Sequence, residues 1–161
     1  MKLVILAGGY GTRLAERTDL VPKPMVEIGG KPMLWHIMKV FAHQGFTEFV
    51  VALGYKGESI KEFFLNYKSF QSDLTINLES GKVDLHSDDS EEQWTITLVD
   101  TGADVMTGGR IRRLRPFIGD DTFMMTYGDG IADVELGRLV DFHKRQGTKA
   151  TLTAVHPRAH Y

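Results

Sequence analysis

Hydrophobic and polar positions alternate along this chain in two rhythms, and their order predicts a sheet surrounded by helices. Leu3 to Ala7 is a continuous apolar run with glycines directly after it, the pattern of a strand covered on both faces. Phe49 to Leu53 repeats that pattern and is closed by Gly54, and Phe123 to Tyr127 repeats it again and runs into Gly128-Asp129-Gly130. Between these strands the period lengthens. Leu34, Ile37, Met38 and Phe41 recur at helical spacing after Lys31 and Pro32, and Gly45 stands where that helix should stop. Ser59 to Tyr67 is expected as a second helix, with Ile60, Phe63, Phe64 and Tyr67 on one side. Asp133 is placed to cap another, running to Gln146, with Leu136, Leu139, Val140 and His143 inward and Gly147 after it.

From Leu74 to Val99 the rhythm shortens. Leu74, Ile76 and Leu78, then Val83 and Leu85, then Trp94, Ile96 and Leu98 alternate with polar residues. Such alternation predicts half-exposed strands in an antiparallel excursion. Ala150 to Val155 is expected as a last strand. Strands alternating with helices give an α/β fold, a doubly wound and mostly parallel sheet, with a small antiparallel insertion around residues 74–99.

Composition narrows the function classes. At 161 residues the chain makes one domain with room for a real core. A net charge of −2 provides no footprint for nucleic acid, and none is expected as a partner. The basic run from Arg110 to Arg115 has no interleaved aromatics, so Arg112, Arg113 and Arg115 are expected on a solvated helix face or a subunit contact. No apolar stretch approaches a membrane span, so no membrane partner is expected, and Met1 to Ala7 reads as a buried strand rather than a signal peptide. The absence of cysteine removes disulfides and thiolate metal sites and fits a cytoplasmic protein. The acidic run Asp88 to Glu92 reads as a solvated turn, and the six histidines show no metal-ligand pairing on a predicted element.

The candidate chemistry lies in Leu6-Ala7-Gly8-Gly9-Tyr10-Gly11-Thr12-Arg13-Leu14, followed by Pro22-Lys23-Pro24. Glycines at a strand end can take positive φ and come close to a ligand, so successive N–H groups can face phosphate oxygens. Arg13 adds a planar fork and Lys23 a mobile point charge. A dinucleotide fingerprint would need a third glycine where Leu14 stands, and the P-loop string is absent. A βα turn that merely tolerates glycine would not require the arginine and the proline-flanked lysine.

The segments LAGGYGTRL, PKPMVEIGGKPML, GYKGESIKEFF, TLVDTG, TGGR and FMMTYGDGIADV together resemble the sugar-1-phosphate nucleotidylyltransferases, and GYKG, LVDTG with TGGR, and TYGDG point to their cytidylyl branch. The resemblance implies a Rossmann-like nucleotidyltransferase fold and Mg2+-dependent transfer of a cytidylyl group from CTP to glucose 1-phosphate, giving CDP-glucose and pyrophosphate for surface polysaccharide synthesis. It implies that Leu6, Ala7, Gly8, Gly9, Tyr10, Gly11, Thr12 and Arg13 hold the nucleotide, Arg13 stabilising the departing pyrophosphate. Lys23 would bring the reacting phosphates together, Gly128 would line the pocket and Asp129 would be the magnesium ligand. Val105 and Arg110 would close over the base, with Arg110 touching the cytosine carbonyl or a phosphate. A homo-oligomer is expected. Transfer of a uridylyl, thymidylyl or guanylyl group, a non-catalytic nucleotide sensor and a nicotinamide oxidoreductase are the rival readings. The family's sugar-binding half, with a second magnesium-binding aspartate and a further lysine motif, is not found in residues 1–161. The chain is therefore expected to be the nucleotide-binding part of a longer domain.

Overall fold

The computed structural model describes residues 1–10, 21–86 and 92–155. They fall into two compact units, Met1–Gly130 and Ile131–Tyr161. In the first unit the strands β1 (Leu3–Leu6), β4 (Glu48–Leu53), β7 (Thr95–Asp100) and β8 (Met124–Tyr127) form one sheet in the order β7-β4-β1-β8. Every pairing in it is parallel. Two antiparallel ribbons accompany it: β2 (Glu27–Ile28) with β3 (Lys31–Pro32), and β5 (Asp73–Ile76) with β6 (Val83–His86). Gly29 and Gly30, at φ 59° and 79°, make the tight two-residue turn of the first ribbon.

Helices cover both faces of the sheet. Side chains alternate along a strand, so β1 sends Leu3 and Ile5 one way and Val4 and Leu6 the other. The first pair packs with Phe49, Val51 and Leu53 of β4, under α1 (Met33–His43) through Leu34, Ile37 and Met38, and under α2 (Gly57–Leu65) through Ile60. The second pair packs with Val50 and Ala52 under α4 (Thr107–Ile118) through Leu114 and Ile118. β4 and β7 lie on one side of β1 and β8 on the other, so the winding direction reverses beside β1. A short α3 (Tyr67–Gln71) follows α2, from which Asn66 separates it. The expected single helix Ser59–Tyr67 is thus shifted and broken.

Two expectations about strands are corrected. Trp94, Ile96 and Leu98 do not belong to the antiparallel excursion, because Thr95–Asp100 pairs parallel with β4 at the edge of the main sheet. Their alternation arises because that strand is only half covered, with Trp94, Ile96 and Leu98 packed on one core layer and Val99 on the other. Only β5 and β6 form the antiparallel insertion, and both strands are exposed along their length.

The second unit holds α5 (Leu136–Gln146), ended by Gly147 at φ 61°. Glu135 rather than Asp133 occupies its N-cap position, without a side-chain capping bond. Ala150 to Val155 does not form a strand, because β-propensity becomes structure only where a neighbouring strand completes the ladder. Thr151 there meets His143 of the helix at 2.9 Å. His156 and His160 lie outside the described residues, as does the acidic run up to Glu91. Among the described residues no helix is long and apolar enough to cross a membrane.

A polar chain ties the first unit's periphery together. Trp35 Nε1 donates to Tyr67 Oη at 2.9 Å, Tyr67 Oη donates to Glu92 Oε2 at 2.8 Å, and Lys39 Nζ donates to Glu92 Oε1 at 2.9 Å. Burial alone would raise the Glu92 pKa, but the bonds from Lys39 and Tyr67 outweigh it and hold the carboxyl below its ordinary value of 4.5. A group with a lowered folded pKa stabilises fully above its unfolded pKa and loses that contribution as pH falls through the folded one. Glu92→Gln should therefore remove part of the stability seen above pH 4.5 and flatten its decline below that pH. Denaturant unfolding at a series of pH values reads both effects.

Candidate active site

The parallel register brings the carboxyl ends of four strands to one edge: Leu6 lies beside Ala52 and Tyr127, and Leu53 beside Asp100. Ligands of open α/β sheets bind at that edge, where the winding direction reverses. A hollow of about 450 Å³ opens there, bounded by Leu6 to Tyr10 after β1, by Tyr127 to Asp129 after β8, and by Ala103 to Thr107 between β7 and α4. Lys23 and Pro24 form a further wall, and Arg110 is part of its lining.

Every sequence-predicted site residue that the structure describes borders this hollow: Leu6, Ala7, Gly8, Gly9, Tyr10, Lys23, Val105, Arg110, Gly128 and Asp129. Gly11, Thr12 and Arg13 lie outside the described residues. The structure adds Asp104 and Tyr127, which sequence reading passed over. Their signal was position, since each lies at or just beyond the carboxyl end of a parallel strand.

The local chemistry of each wall follows from its residues. Pro22 and Pro24 fix φ around Lys23, and the segment closes into a 3-10 turn over Lys23–Met25, with Met25 N bonding Pro22 O at 2.8 Å. The turn is anchored by buried Pro24, and Lys23 Nζ stands 3.7 Å from Asp129 Oδ2. That pair is partly exposed, so separating it costs about 1 kcal/mol or less. Both charges thus remain available to a ligand in the hollow. Gly128 is pinned by its N–H to Leu6 O at 3.0 Å, and a Cβ on it would meet Pro24 Cγ at 3.1 Å and Leu6 O at 3.2 Å.

The glycines at 8 and 9 are not in the left-handed region, so positive φ is not why the turn carries them. Space explains Gly8, where a Cβ would stand 2.2 Å from Arg110 Nη1. Tyr10 reaches across the mouth, its hydroxyl donating to Asp104 Oδ1 at 2.5 Å and its ring lying 5.2 Å from that of Tyr55. The bond to Asp104 and the charge behind it push the Tyr10 hydroxyl above its ordinary pKa.

Arg110, which lines the hollow, is also bonded to several protein oxygens. It is buried, and its Nη1 donates to Leu53 O at 3.0 Å, Thr101 Oγ1 at 2.7 Å and Gly102 O at 2.8 Å. Its Nη2 donates to Gly8 O at 2.8 Å and Ala103 O at 2.9 Å. Burial and the nearby Arg113 lower its pKa, against the pull of Asp100 and Tyr10, yet an arginine stays charged at neutral pH. Arg113 is exposed, as expected, and its Nη1 also donates to Thr101 O at 2.5 Å.

A family model described as Nucleotidyl transferase matches residues 2–160. The chain belongs to this family. It is 52% identical to the glucose-1-phosphate cytidylyltransferase of Salmonella typhimurium, over 98% of this chain and 61% of that protein. It is 48% identical to the probable glucose-1-phosphate cytidylyltransferase of Bacillus subtilis, over 96% of this chain and 60% of that protein. The chain thus spans about three fifths of the length of these relatives. Its fold is similar to that of HddC from Yersinia pseudotuberculosis, crystallised with GMP-PN, at a TM-score of 0.64 and 25% identity over 88% of this chain and 53% of that one.

The packing around the hollow predicts unequal tolerance among its glycines. A Cβ on Gly54 would stand 2.6 Å from both Gly8 O and Arg110 Nη1, whereas a Cβ on Gly9 would meet nothing within 4 Å. Gly54→Ala should cost about 1–3 kcal/mol by forced overpacking, and Gly9→Ala about 0.5 kcal/mol or less. Equilibrium unfolding of the two variants makes the comparison.

Proposed function

We propose that this chain is the nucleotide-binding part of a sugar-1-phosphate cytidylyltransferase, transferring a cytidylyl group from CTP to α-D-glucose 1-phosphate. The observation that supports this most is the convergence of the glycine-rich turn, Lys23 and Asp129 on one hollow at the carboxyl edge of the sheet. The identity to two cytidylyltransferases over nearly all of the chain supports the choice of base and sugar.

In this reading an oxygen of the sugar 1-phosphate attacks the α-phosphorus of CTP. A new P–O bond forms, the bond from the α-phosphorus to the bridging oxygen breaks, and pyrophosphate leaves with its electron pair. Such a transfer is driven by positioning and charge neutralisation. The N–H groups of Gly8 to Thr12 and the Arg13 guanidinium would hold the triphosphate. Lys23, on its proline-braced turn, would hold the reacting phosphates together, and Val105 and the backbone at Gly128 would border the bound nucleotide.

Asp129 suits a magnesium ion by the chemistry of its setting: one half-exposed carboxylate on an open hollow, with no cluster of three or more acidic or histidine ligands among the described residues. Magnesium characteristically takes one or two carboxylates and completes its shell with water and phosphate oxygens. When bound, it would neutralise charge on the pyrophosphate. Asp129 would hold the ion, and Lys23, paired with it only loosely at 3.7 Å, would remain available to the phosphates. The cytoplasm, where nucleoside triphosphates are held, is the proposed location.

Pyrophosphate release by the full-length protein, measured with each nucleoside triphosphate and glucose 1-phosphate, tests the reading. CTP should be preferred, and a preference for UTP, dTTP or GTP would overturn the cytidylyl assignment. Lys23→Ala should lower kcat about 100- to 1,000-fold, the usual cost of removing one preorganised group that stabilises transition-state charge. Unchanged turnover in that variant would remove Lys23 from the reacting phosphates.

A further inference from the structure

We infer that Arg110 is a positioning residue, whose bonds to the loops around the hollow fix the shape of the nucleotide cradle. This rests on the nucleotide-binding reading above. The four terminal N–H groups of a guanidinium form a planar fork with fixed directions. In Arg110 all four are directed at protein oxygens from three chain segments that surround the hollow: Gly8 after β1, Leu53 at the end of β4, and Thr101, Gly102 and Ala103 after β7. The Thr101 hydroxyl accepts from Nη1 and donates its own hydrogen bond to Leu53 O at 2.6 Å, which closes the network.

The two closest glycines are shaped around this group. Gly8 and Gly54 would each drive a Cβ into Nη1, at 2.2 and 2.6 Å. The arginine is itself held firmly, because Arg110, Leu114 and Ile118 share the buried stripe of α4, and the last two are embedded in the core layer under the sheet. Core packing is thereby transmitted to the Gly8 carbonyl. No carboxylate lies within ion-pair distance of Arg110 among the described residues. The buried charge is instead satisfied by neutral carbonyl and hydroxyl oxygens, an arrangement that costs free energy unless each bond is made. Lysine cannot replace it. A single ammonium has three donors and no fork, and cannot serve five oxygens on three segments at once.

The test compares wild type, Arg110→Ala, Arg110→Lys and Thr101→Val in the full-length protein. Amide hydrogen exchange is followed without nucleotide, and CTP affinity is measured by calorimetry. Arg110→Ala should speed exchange at residues 8–10, 54–55 and 101–103 in the ligand-free protein while β1 and β4 stay protected. It should also weaken CTP binding about 100-fold, the scale expected when a remote change misplaces a site by about an ångström. Added guanidinium, well below denaturing concentrations, should recover part of the affinity. If Arg110→Ala does not fold, Arg110→Lys should show the same local exchange pattern, and Thr101→Val a weaker version. A loss of CTP affinity with ligand-free exchange unchanged would make Arg110 a direct contact and overturn the inference, as would both readouts staying at wild-type levels. Failure of wild type to bind CTP would count against the proposed function, and the exchange pattern would still decide the role of Arg110.

Discussion

Complete burial of β1 between two parallel neighbours is the constraint on which the site depends. Leu3, Val4 and Ile5 expose no surface, and Leu6 very little, so neither face of the strand can shift without opening a core layer. The pairings with β4 and β8 then fix where the chain must leave the sheet. Because all neighbours run parallel, their exits coincide. The loops that follow are forced into one another's company before any side chain acts, and the hollow lies where they diverge.

Charge enters that hollow in two ways that differ in physical character. Lys23 and Asp129 are partly exposed, loosely paired at 3.7 Å, and mounted on short loops, so each can exchange its partner at low cost. Arg110 is buried and multiply bonded, and its bonds join segments that would otherwise meet only through packing. In the proposed transfer, mobile charge would suit a group that follows phosphates through the displacement. Fixed charge suits a group that sets the geometry in which the displacement occurs. The two kinds occupy different depths of the same wall.

Much of this was legible in the chain. Apolar runs followed by glycine marked β1 and β4 and the edge at which they end; the glycine turn and Lys23 stood out by type and spacing, whereas Val105, Arg110, Gly128 and Asp129 were implied by the family resemblance. What was hidden depended on tertiary partners. Trp94, Ile96 and Leu98 alternate for the same reason in a parallel edge strand as in a hairpin, since alternation reports half-coverage and says nothing about direction. Ala150 to Val155 has strand-like residues without a ladder to join. Arg110 was set apart from its basic neighbours only as a contact to the base or a phosphate, although a four-residue step links it to Leu114 and Ile118 on the buried stripe. The phase of that helix held the signal, and the charge concealed it.

A buried guanidinium bonded to carbonyls also changes how the glycine-rich turn should be understood. Glycine at such a turn is usually explained by backbone freedom, but Gly8 adopts no conformation that a larger residue would avoid. What it lacks is room, and Arg110 takes the room. The glycine and the arginine, 102 residues apart in the chain, are therefore two halves of one device. Enlarging the glycine displaces the fork, and shortening the arginine leaves the Gly8, Gly102 and Ala103 carbonyls without the donor that holds them together. In either case the loss should fall first on the backbone at Gly8, while the core beneath keeps its packing. Pre-organisation of this kind places the cost of ordering the loops in folding, and for the proposed nucleotide it would leave more of the interaction to appear as affinity.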